Sequence, residues 1–177
     1  MEYTLYQLLW FFLVYSFLGW LMETATAAAR KGRLLNRGFL NAPFSPVYGL
    51  ASVLFAIFLP ELKSTPLFLF LGGMLLATAL ELVTGMLLER IFGQKWWDYS
   101  QEPWNFNGHI CLKYALVWGV LALFCLFIGN PLLVTFSNWL PHSIGRIILI
   151  LVLALLILDF VGSGAAVLQL NGSLQEP

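Results

Sequence analysis

Charged side chains are scarce in this sequence. Only 10% of its 177 residues are Asp, Glu, Lys or Arg, whereas 60% are hydrophobic, and the mean hydropathy is +0.83. A soluble domain of this length must present more polar surface to water. The composition therefore predicts an integral membrane protein that is surrounded by membrane lipid, and we expect no nucleic-acid partner.

Cysteine is also rare, and the two that are present, Cys111 and Cys125, lie 14 residues apart. On one helix that separation is about 21 Å, which is too far for a disulfide, so we expect two buried thiols. The sequence has no zinc-type ligand spacing, no nucleophile motif and no Walker motif. We therefore expect neither a cofactor nor a metal, and coupling to ATP would require a separate ATPase subunit.

Long apolar runs are what the sequence does contain. Five approach the roughly 20 helical residues that cross a bilayer core of about 30 Å: residues 8–28, 46–59, 67–88, 110–129 and 147–168. The first run is too long for a signal-peptide core and lacks a basic residue before it, so we expect it to remain as a membrane helix. We predict an all-α fold, a polytopic membrane helical bundle of about five transmembrane helices, in a single domain over residues 1–170 with a polar tail at 171–177.

A motif in the first apolar run returns in the third. Gly19-Trp-Leu-Met-Glu23 recurs as Gly85-Met-Leu-Leu-Glu89. Two glycine pairs follow at a matching spacing, Gly38 with Gly49 and Gly108 with Gly119. These matches predict two parallel-repeat helical hairpins, at about residues 8–62 and 66–129, and one extra helix at about residues 146–168. Chance coincidence in an apolar chain is the alternative.

Basic residues mark one end of the predicted hairpins. Seven of the nine follow the first or the third apolar run: Arg30, Lys31, Arg33, Arg37, Arg90, Lys95 and Lys113. Loops rich in Lys and Arg stay on the cytoplasmic side. We therefore expect the N-terminus outside, and these two connections and the C-terminus in the cytoplasm.

Acidic residues inside the apolar runs are candidate functional residues, because a charge at the bilayer centre costs about 2.5–3.5 kcal/mol. Glu81, Gly85 and Glu89 follow at four-residue steps, so both acids share one helix face. Glu23 holds the equivalent place on the first helix. The alternatives for Glu23 and Glu89 are side chains that reach the interface, or ion pairs with the arginines Arg30 and Arg90.

Further polar candidates lie in the second basic connection and the last helix. Asp98 and Asn107 stand among aromatic residues that could also form an ordinary interfacial belt. His109 and Lys113 are four residues apart, so they share a helix face. Asp159 follows an unbroken apolar run, and we expect it to face the bundle, either protonated or paired with Lys113 or His109.

The second apolar run is short for a membrane helix. Residues 46–59 cover about 21 Å of helix, which is less than the hydrocarbon thickness. Ser45-Pro46 predicts an N-cap and a first-turn proline, so residues 39–44 should approach as non-helical backbone, with helix N–H groups facing an anion or a carboxylate. Such backbone must be buried in protein or line a cavity. The sequence therefore predicts a broken or re-entrant approach to the second helix.

Several of these motifs resemble one bacterial membrane family, the putative ABC-transporter type IV permeases. They cover roughly residues 8–129: Gly19-Trp-Leu-Met-Glu23, Asn36-Arg-Gly-Phe-Leu40, Pro46-Val-Tyr-Gly49, Trp96-Trp-Asp-Tyr-Ser100, Asn107-Gly108 and Trp118-Gly119. The resemblance implies a transport permease in the bacterial cytoplasmic (inner) membrane. Departures stand at Ala42, Phe44 and His109, where we expect glycine, cysteine and arginine. They leave open whether anion contacts are kept by the candidate residues Asn36, Arg37, Ser45, Tyr48, Tyr99 and Trp118.

Three classes of function stay open. The first is permease-like transport of a small solute, ion or proton between the hairpins, with Glu23, Glu81, Glu89 and Asp159 as proton or cation sites. The second is a membrane enzyme or binding protein for a lipid headgroup, with His109 or Asp98 as base and Lys113 or Arg37 holding phosphate. The third is a structural or regulatory membrane subunit. A homodimer is compatible with so small a bundle.

Overall fold

Helices make up most of the computed structural model, which describes the backbone of residues 2–31 and 39–173 and the side chains of residues 2–29 and 39–170. The elements follow in this order: α1 (Leu5–Lys31), α2 (Pro46–Phe58), a 3-10 turn (Pro60–Ser64), α3 (Pro66–Phe92), strands β1 (Asn105–Phe106) and β2 (Ile110–Cys111), α4 (Leu112–Phe124), a π-helical turn (Cys125–Gly129), α5 (Asn130–Trp139) and α6 (His142–Ser173). The strands pair antiparallel.

Four helices in the described part of the chain are long and apolar enough to cross a membrane. They cover Leu5–Ala29, Pro66–Phe92, Leu112–Trp139 and His142–Leu170. The remaining helix, α2, has 13 residues, which is about 20 Å of helix and too short to cross alone. The predicted all-α membrane bundle is confirmed.

The helix of the fourth apolar run is longer than the sequence predicts. We expected it to end at Gly129, before Asn130-Pro131, because proline usually ends or kinks a helix. Instead the π-helical turn continues into α5, and one helix covers Leu112–Trp139. The Asn130 N–H donates to the Cys125 carbonyl, five residues earlier. The wider turn accommodates Pro131, which has no N–H to donate, in the first turn of α5.

Glycines bring the helices of each sequential pair into close contact. A methyl group on Gly49 of α2 would overlap the Ser16 side chain and the Phe12 carbonyl of α1. Likewise, a methyl group on Gly119 of α4 would overlap the Phe70 ring of α3. Small residues allow this close approach of helix backbones in membranes, where packing rather than hydrophobicity drives helix association.

Residues 39–45, which we call the lead-in segment, approach α2 without helical structure, as predicted. The Ser45 N–H donates to the Ser16 carbonyl at 2.9 Å, so the segment meets α1 about 17 Å from the start of that helix. Ser45 is the N-cap residue of α2 and has extended backbone, but its hydroxyl accepts no capping hydrogen bond from the helix. Leu40 is 2% exposed, whereas Asn41 and Pro43 are exposed, so the segment is anchored in the protein at Leu40 but is not buried along its whole length.

The core consists of two apolar clusters on opposite sides of α1. The larger joins α1 to α2, α3 and α4, and its members include Phe11, Phe55, Leu69 and Leu126. The smaller joins α1 and the lead-in segment to α6, through Trp10, Leu40, Leu149 and Leu156. Leu149 and Leu156 stand seven residues apart, so α6 contacts the bundle along one narrow stripe.

Substitution of Gly49 by alanine tests the contact between α1 and α2. The added methyl group would overlap backbone as well as side chain on α1, so we expect Gly49→Ala to destabilise the protein by about 1–3 kcal/mol. Thermal unfolding in detergent measures the loss. The matched control is Gly162→Ala in α6, where a methyl group meets nothing within 4 Å and stability should hold or rise. Equal unfolding temperatures for Gly49→Ala and wild type would contradict the close packing.

Candidate functional site

A buried carboxylate of α3, Glu81, lies among neutral hydrogen-bond donors. Its side chain is 5% exposed. The Tyr99 hydroxyl donates to one carboxylate oxygen at 2.9 Å, and the Trp118 indole N–H donates to the other at 3.1 Å. Among the residues that the structure describes, no lysine, arginine or histidine forms an ion pair with Glu81. Within this part of the chain, both oxygens of Glu81 therefore accept hydrogen bonds from neutral donors, and no basic side chain pairs with the carboxylate.

Tyr99 reaches Glu81 because the connection between α3 and α4 folds back toward the helices. Asn107 and Gly108 have positive φ angles of 50° and 73°, and the turn they form lets the Gly108 carbonyl accept the Tyr99 N–H at 2.8 Å. The Tyr99 ring stacks on Tyr114 of α4, with ring centroids 4.6 Å apart. Burial and the nearby Glu81 charge raise the pKa of Tyr99 far above its usual range, so its hydroxyl stays a donor.

The first Gly-x-x-x-Glu motif supplies a second carboxylate beside Glu81. Glu23 of α1 lies close enough to Glu81 for the two charges to interact. The Tyr48 hydroxyl of α2 lies close enough to Glu23 for the two groups to interact. A methyl group on Gly19 would overlap the Tyr48 ring, so the glycine makes room for the tyrosine that lies near the glutamate one turn later.

We call Glu23, Tyr48, Glu81, Tyr99 and Trp118 the carboxylate cluster. The Tyr48 and Trp118 rings contact each other, with centroids 4.9 Å apart. Trp118 donates to Glu81 and Tyr48 lies near Glu23, so a pair of touching aromatic side chains lies beside the two acids. The sequence predicts all five as site residues, and the structure brings them together from α1, α2, α3, α4 and the connection before α4.

The second motif repeats the same arrangement with a different partner. A methyl group on Gly85 would come within 3.0 Å of the His109 imidazole and 3.1 Å of the Trp97 indole. The other imidazole nitrogen of His109 lies 3.0 Å from Glu89. The Trp97 indole N–H donates to the His109 carbonyl at 2.8 Å and holds the histidine in place. In both motifs, then, the glycine admits the side chain that lies beside the glutamate.

Polar groups of the connection surround an open depression of about 650 Å³, which we call the elbow cleft. Its wall includes Glu89, Lys95, Ser100, Asn107 and His109. Glu23 is not part of this wall, so Glu23 and Glu89 belong to separate sites. Lys95 lies 3.9 Å from Glu89 and donates to the Asn107 carbonyl at 2.6 Å.

Other predicted residues of the connection are bonded within it. The hydroxyl and the N–H of Ser100 both donate to Asp98, and these bonds lower the pKa of Asp98. Lys113 forms an ion pair with Glu102 at 2.8 Å. Lys113 and His109 therefore have different acidic partners. The sequence places them on one helix face, but β2 ends at Cys111 and α4 begins at Leu112, so His109 lies before the helix.

Asp159 of α6 is bonded to the lead-in segment. Its carboxylate accepts the Asn41 amide N–H at 3.0 Å and the Ala42 backbone N–H at 2.9 Å. Asn41 also donates to Ser163 at 3.0 Å. The pairing of Asp159 with Lys113 or His109 is therefore not confirmed, because non-helical backbone passes beside α6 and offers its own donors.

An apolar cavity of about 90 Å³ lies between α1, α2 and α4. Its wall includes Tyr15, Gly19, Tyr48, Phe55, Trp118 and Cys125. The transport hypothesis predicts a cavity lined by carboxylates, but none of the described acids belongs to this wall. Tyr48 and Trp118 belong both to the wall and to the carboxylate cluster.

Some residues of these sites could not be found from the sequence, and two of the predicted residues lie outside the described part of the chain. Asn41 and Tyr114 were not predicted, although Asn41 is the polar side chain of a segment that we predicted to be non-helical. Asn36 and Arg37 lie outside the described residues. Both cysteines are free and buried, as expected.

Substitution of Asp159 tests the link between α6 and the lead-in segment. Asp159→Ala removes both hydrogen bonds, so we expect a loss of stability of about 1–3 kcal/mol and faster hydrogen exchange at the Ala42 amide. Exchange followed by mass spectrometry measures the second effect. Leu158→Ala, at the neighbouring exposed position, is the matched control and should leave the exchange unchanged. Unaltered protection in Asp159→Ala would contradict the link.

Comparison with known proteins gives one family and no individual relative. Neither the curated proteins nor the solved structures match the chain. The family described as "Putative ABC-transporter type IV" matches residues 10–163. That span contains the carboxylate cluster, the lead-in segment, the elbow cleft and Asp159. Because the match covers most of the sequence, this chain belongs to the putative ABC-transporter type IV family.

Proposed function

We propose that the chain moves protons or small cations across the membrane, and that the carboxylate cluster is where they bind. The family and the four apolar helices fit a membrane transport protein. The observation that supports this function best is Glu81, which is buried and bonded to neutral donors, with the like charge of Glu23 nearby.

The physical argument concerns the charge of Glu81. Removing a charge from water is expensive unless a positive charge compensates it, and Glu81 is buried. Neutral donors such as Tyr99 and Trp118 stabilise the carboxylate without cancelling its charge. A proton or a cation that binds at Glu81 lowers this cost, and acids within membrane helices form such sites along proton and ion pathways.

The position of the cluster suits transport. It lies where the two predicted hairpins meet, since Glu23 and Tyr48 come from α1 and α2, and Glu81 and Trp118 come from α3 and α4. In the proposed arrangement the hairpins are parallel repeats related by an axis along the membrane normal, the form of symmetry in which transporter sites lie between the halves. The basic connections face the cytoplasm of a bacterial cell, and the N-terminus faces outward.

The bonding within the elbow cleft favours transport over headgroup chemistry. A general base for a lipid headgroup must be within reach of the proton that it removes. Asp98 is bonded to Ser100 and His109 to Glu89, so both candidate bases are already engaged. A homodimer and a separate ATPase subunit stay predictions from the sequence.

Proton flux into liposomes tests the function. The purified protein is reconstituted with a trapped pH-sensitive dye, a pH step is imposed, and valinomycin with potassium holds the membrane voltage at zero. We expect wild-type protein to dissipate the pH difference faster than protein-free liposomes do. Glu81→Gln keeps the shape of the side chain but cannot bind the proton, so its rate should return to that of protein-free liposomes.

The control is Glu61→Gln, an exposed acid of the 3-10 turn, which should retain the wild-type rate. Wild-type flux in Glu81→Gln, or wild-type flux equal to that of protein-free liposomes, would contradict the proposed function.

A further inference from the structure

One face of α3 leads from the elbow cleft to the buried carboxylate cluster. Glu89, Gly85 and Glu81 lie on this face at four-residue steps, so about 12 Å of helix separates the two acids. Glu89 belongs to the wall of the open cleft, and its side chain is 42% exposed, whereas Glu81 is 5% exposed. The face therefore connects a carboxylate that the solvent of the cleft can reach to one that is buried.

The His109 side chain lies along this face, between the levels of the two acids. Its Nε2 atom is 3.0 Å from a carboxylate oxygen of Glu89. Its Nδ1 atom is 3.0 Å from the position that a methyl group on Gly85 would take. Because the Cα–Cβ bond of a helical residue leans toward the N-terminus of its helix, that position lies on the Glu81 side of Gly85. One imidazole nitrogen is therefore directed at Glu89, and the other lies one turn from Glu81.

The connection that carries His109 covers the rest of this face. Trp97 lies against Gly85 and donates its indole N–H to the His109 carbonyl, and Tyr99 donates to Glu81 at 2.9 Å. The rise from Gly85 to Glu81 is about 6 Å, a gap that one water molecule can bridge in a proton transfer. The same segment therefore contacts α3 at Glu81, at Gly85 and at Glu89.

Charged groups of both signs lie close to the imidazole. Glu89 of α3 is its partner, Asp98 of the connection is near enough to interact with it, and Lys95 lies 3.9 Å from Glu89. A proton that passes through the imidazole thus has two carboxylates close by, so its charge is compensated on the way into the bundle. An imidazole can accept a proton on one nitrogen and release one from the other, which suits it to proton shuttling.

We infer that Glu89 and His109 form a proton relay through which protons pass between the elbow cleft and Glu81. The inference rests on the proposed function, because Glu81 is the destination of the proton. A carboxyl proton moves from Glu89 to Nε2 of His109, the Nδ1 proton leaves toward the Glu81 carboxylate, and exchange with water of the cleft restores the starting tautomer. The bond to Glu89, which keeps His109 from acting on a headgroup, is the bond that this transfer uses.

Chemical rescue by imidazole tests the relay. His109→Ala removes the ring and leaves space beside Gly85 that free imidazole can enter from the cleft. The full-length variant is reconstituted into liposomes, a potassium diffusion potential drives proton uptake at equal pH on both sides, and a trapped dye records the rate above that of protein-free liposomes in the same buffer. We expect uptake to fall by about tenfold or more in His109→Ala, and to recover as imidazole is added equally on both sides.

A second substitution separates proton transfer from a structural role of the side chain. In His109→Gln the amide can still donate a hydrogen bond to Glu89, but it cannot take up a proton. We therefore expect His109→Gln to be as slow as His109→Ala and, because the amide fills the space beside Gly85, not to respond to imidazole. A merely structural role predicts that His109→Gln retains the wild-type rate.

The other histidine of the chain provides the matched control. His142 is exposed at the start of α6, so His142→Ala should keep the wild-type rate with and without imidazole. The double variant His109→Ala with Glu81→Gln shows where the rescued proton goes. Imidazole should not restore uptake in it, because the acid that receives the proton is absent.

The outcomes separate this inference from the proposed function. Wild-type uptake in His109→Ala or in His109→Gln overturns the relay, and so does a slow His109→Ala variant that imidazole does not restore. In each case, uptake that depends on Glu81 would still support the proposed function. Imidazole rescue that persists in the double variant supports His109 as the point of proton entry and overturns the assignment of Glu81 as the proton site.

Discussion

A carboxylate inside a helical bundle must receive hydrogen bonds, and the bonds to Glu81 determine how the second half of this chain is arranged. One oxygen takes the indole N–H of Trp118, which fixes the rotation of α4 against α3. The other takes the hydroxyl of Tyr99, which draws the connection back over the ends of the helices. The left-handed backbone at Asn107 and Gly108 is what allows that return. Removing either donor would leave a buried oxygen without a partner, which is more costly than the bond itself is favourable.

The two Gly-x-x-x-Glu motifs show how a glycine can position an acid without touching it. Each glycine leaves a gap on its helix, and a side chain from a later segment fills the gap beside the glutamate one turn further along. That side chain is a tyrosine in the first motif and a histidine in the second. The same geometry therefore accommodates two different polar neighbours.

The sequence predicts the helices well and the pairing of side chains less well, for a physical reason. The length of an apolar run indicates roughly how long a helix is, and Ser45-Pro46 indicates where α2 begins. Helix length and helix start can be predicted because both depend on local properties of the sequence. The partner of Asp159 depends on which segment lies beside α6, and hydropathy does not encode that when most of the helix faces lipid. The continuation through Pro131 was missed because a π-helical turn depends on the packing around it. Glu23 and Glu81 could be predicted as candidates because acids stand out in apolar runs, and Tyr48, Tyr99 and Trp118 through the family resemblance. Their grouping into one cluster, and its division from the elbow cleft, depend on tertiary packing and could not be predicted.

The two hydrogen bonds to Glu81 bear on how the bundle responds to a bound proton. Tyr99 belongs to the connection between α3 and α4, whereas Trp118 belongs to α4, so one donor is held by a non-helical segment and the other by a helix. Hydrogen bonds to an ionised carboxylate are stronger than those to a neutral acid, so in the proposed mechanism a proton on Glu81 weakens both bonds at once. The contact between α3 and α4 is held independently, because Gly119 packs against the Phe70 ring. Protonation therefore acts mainly on the attachment of the connection, while the packing of the two helices is kept.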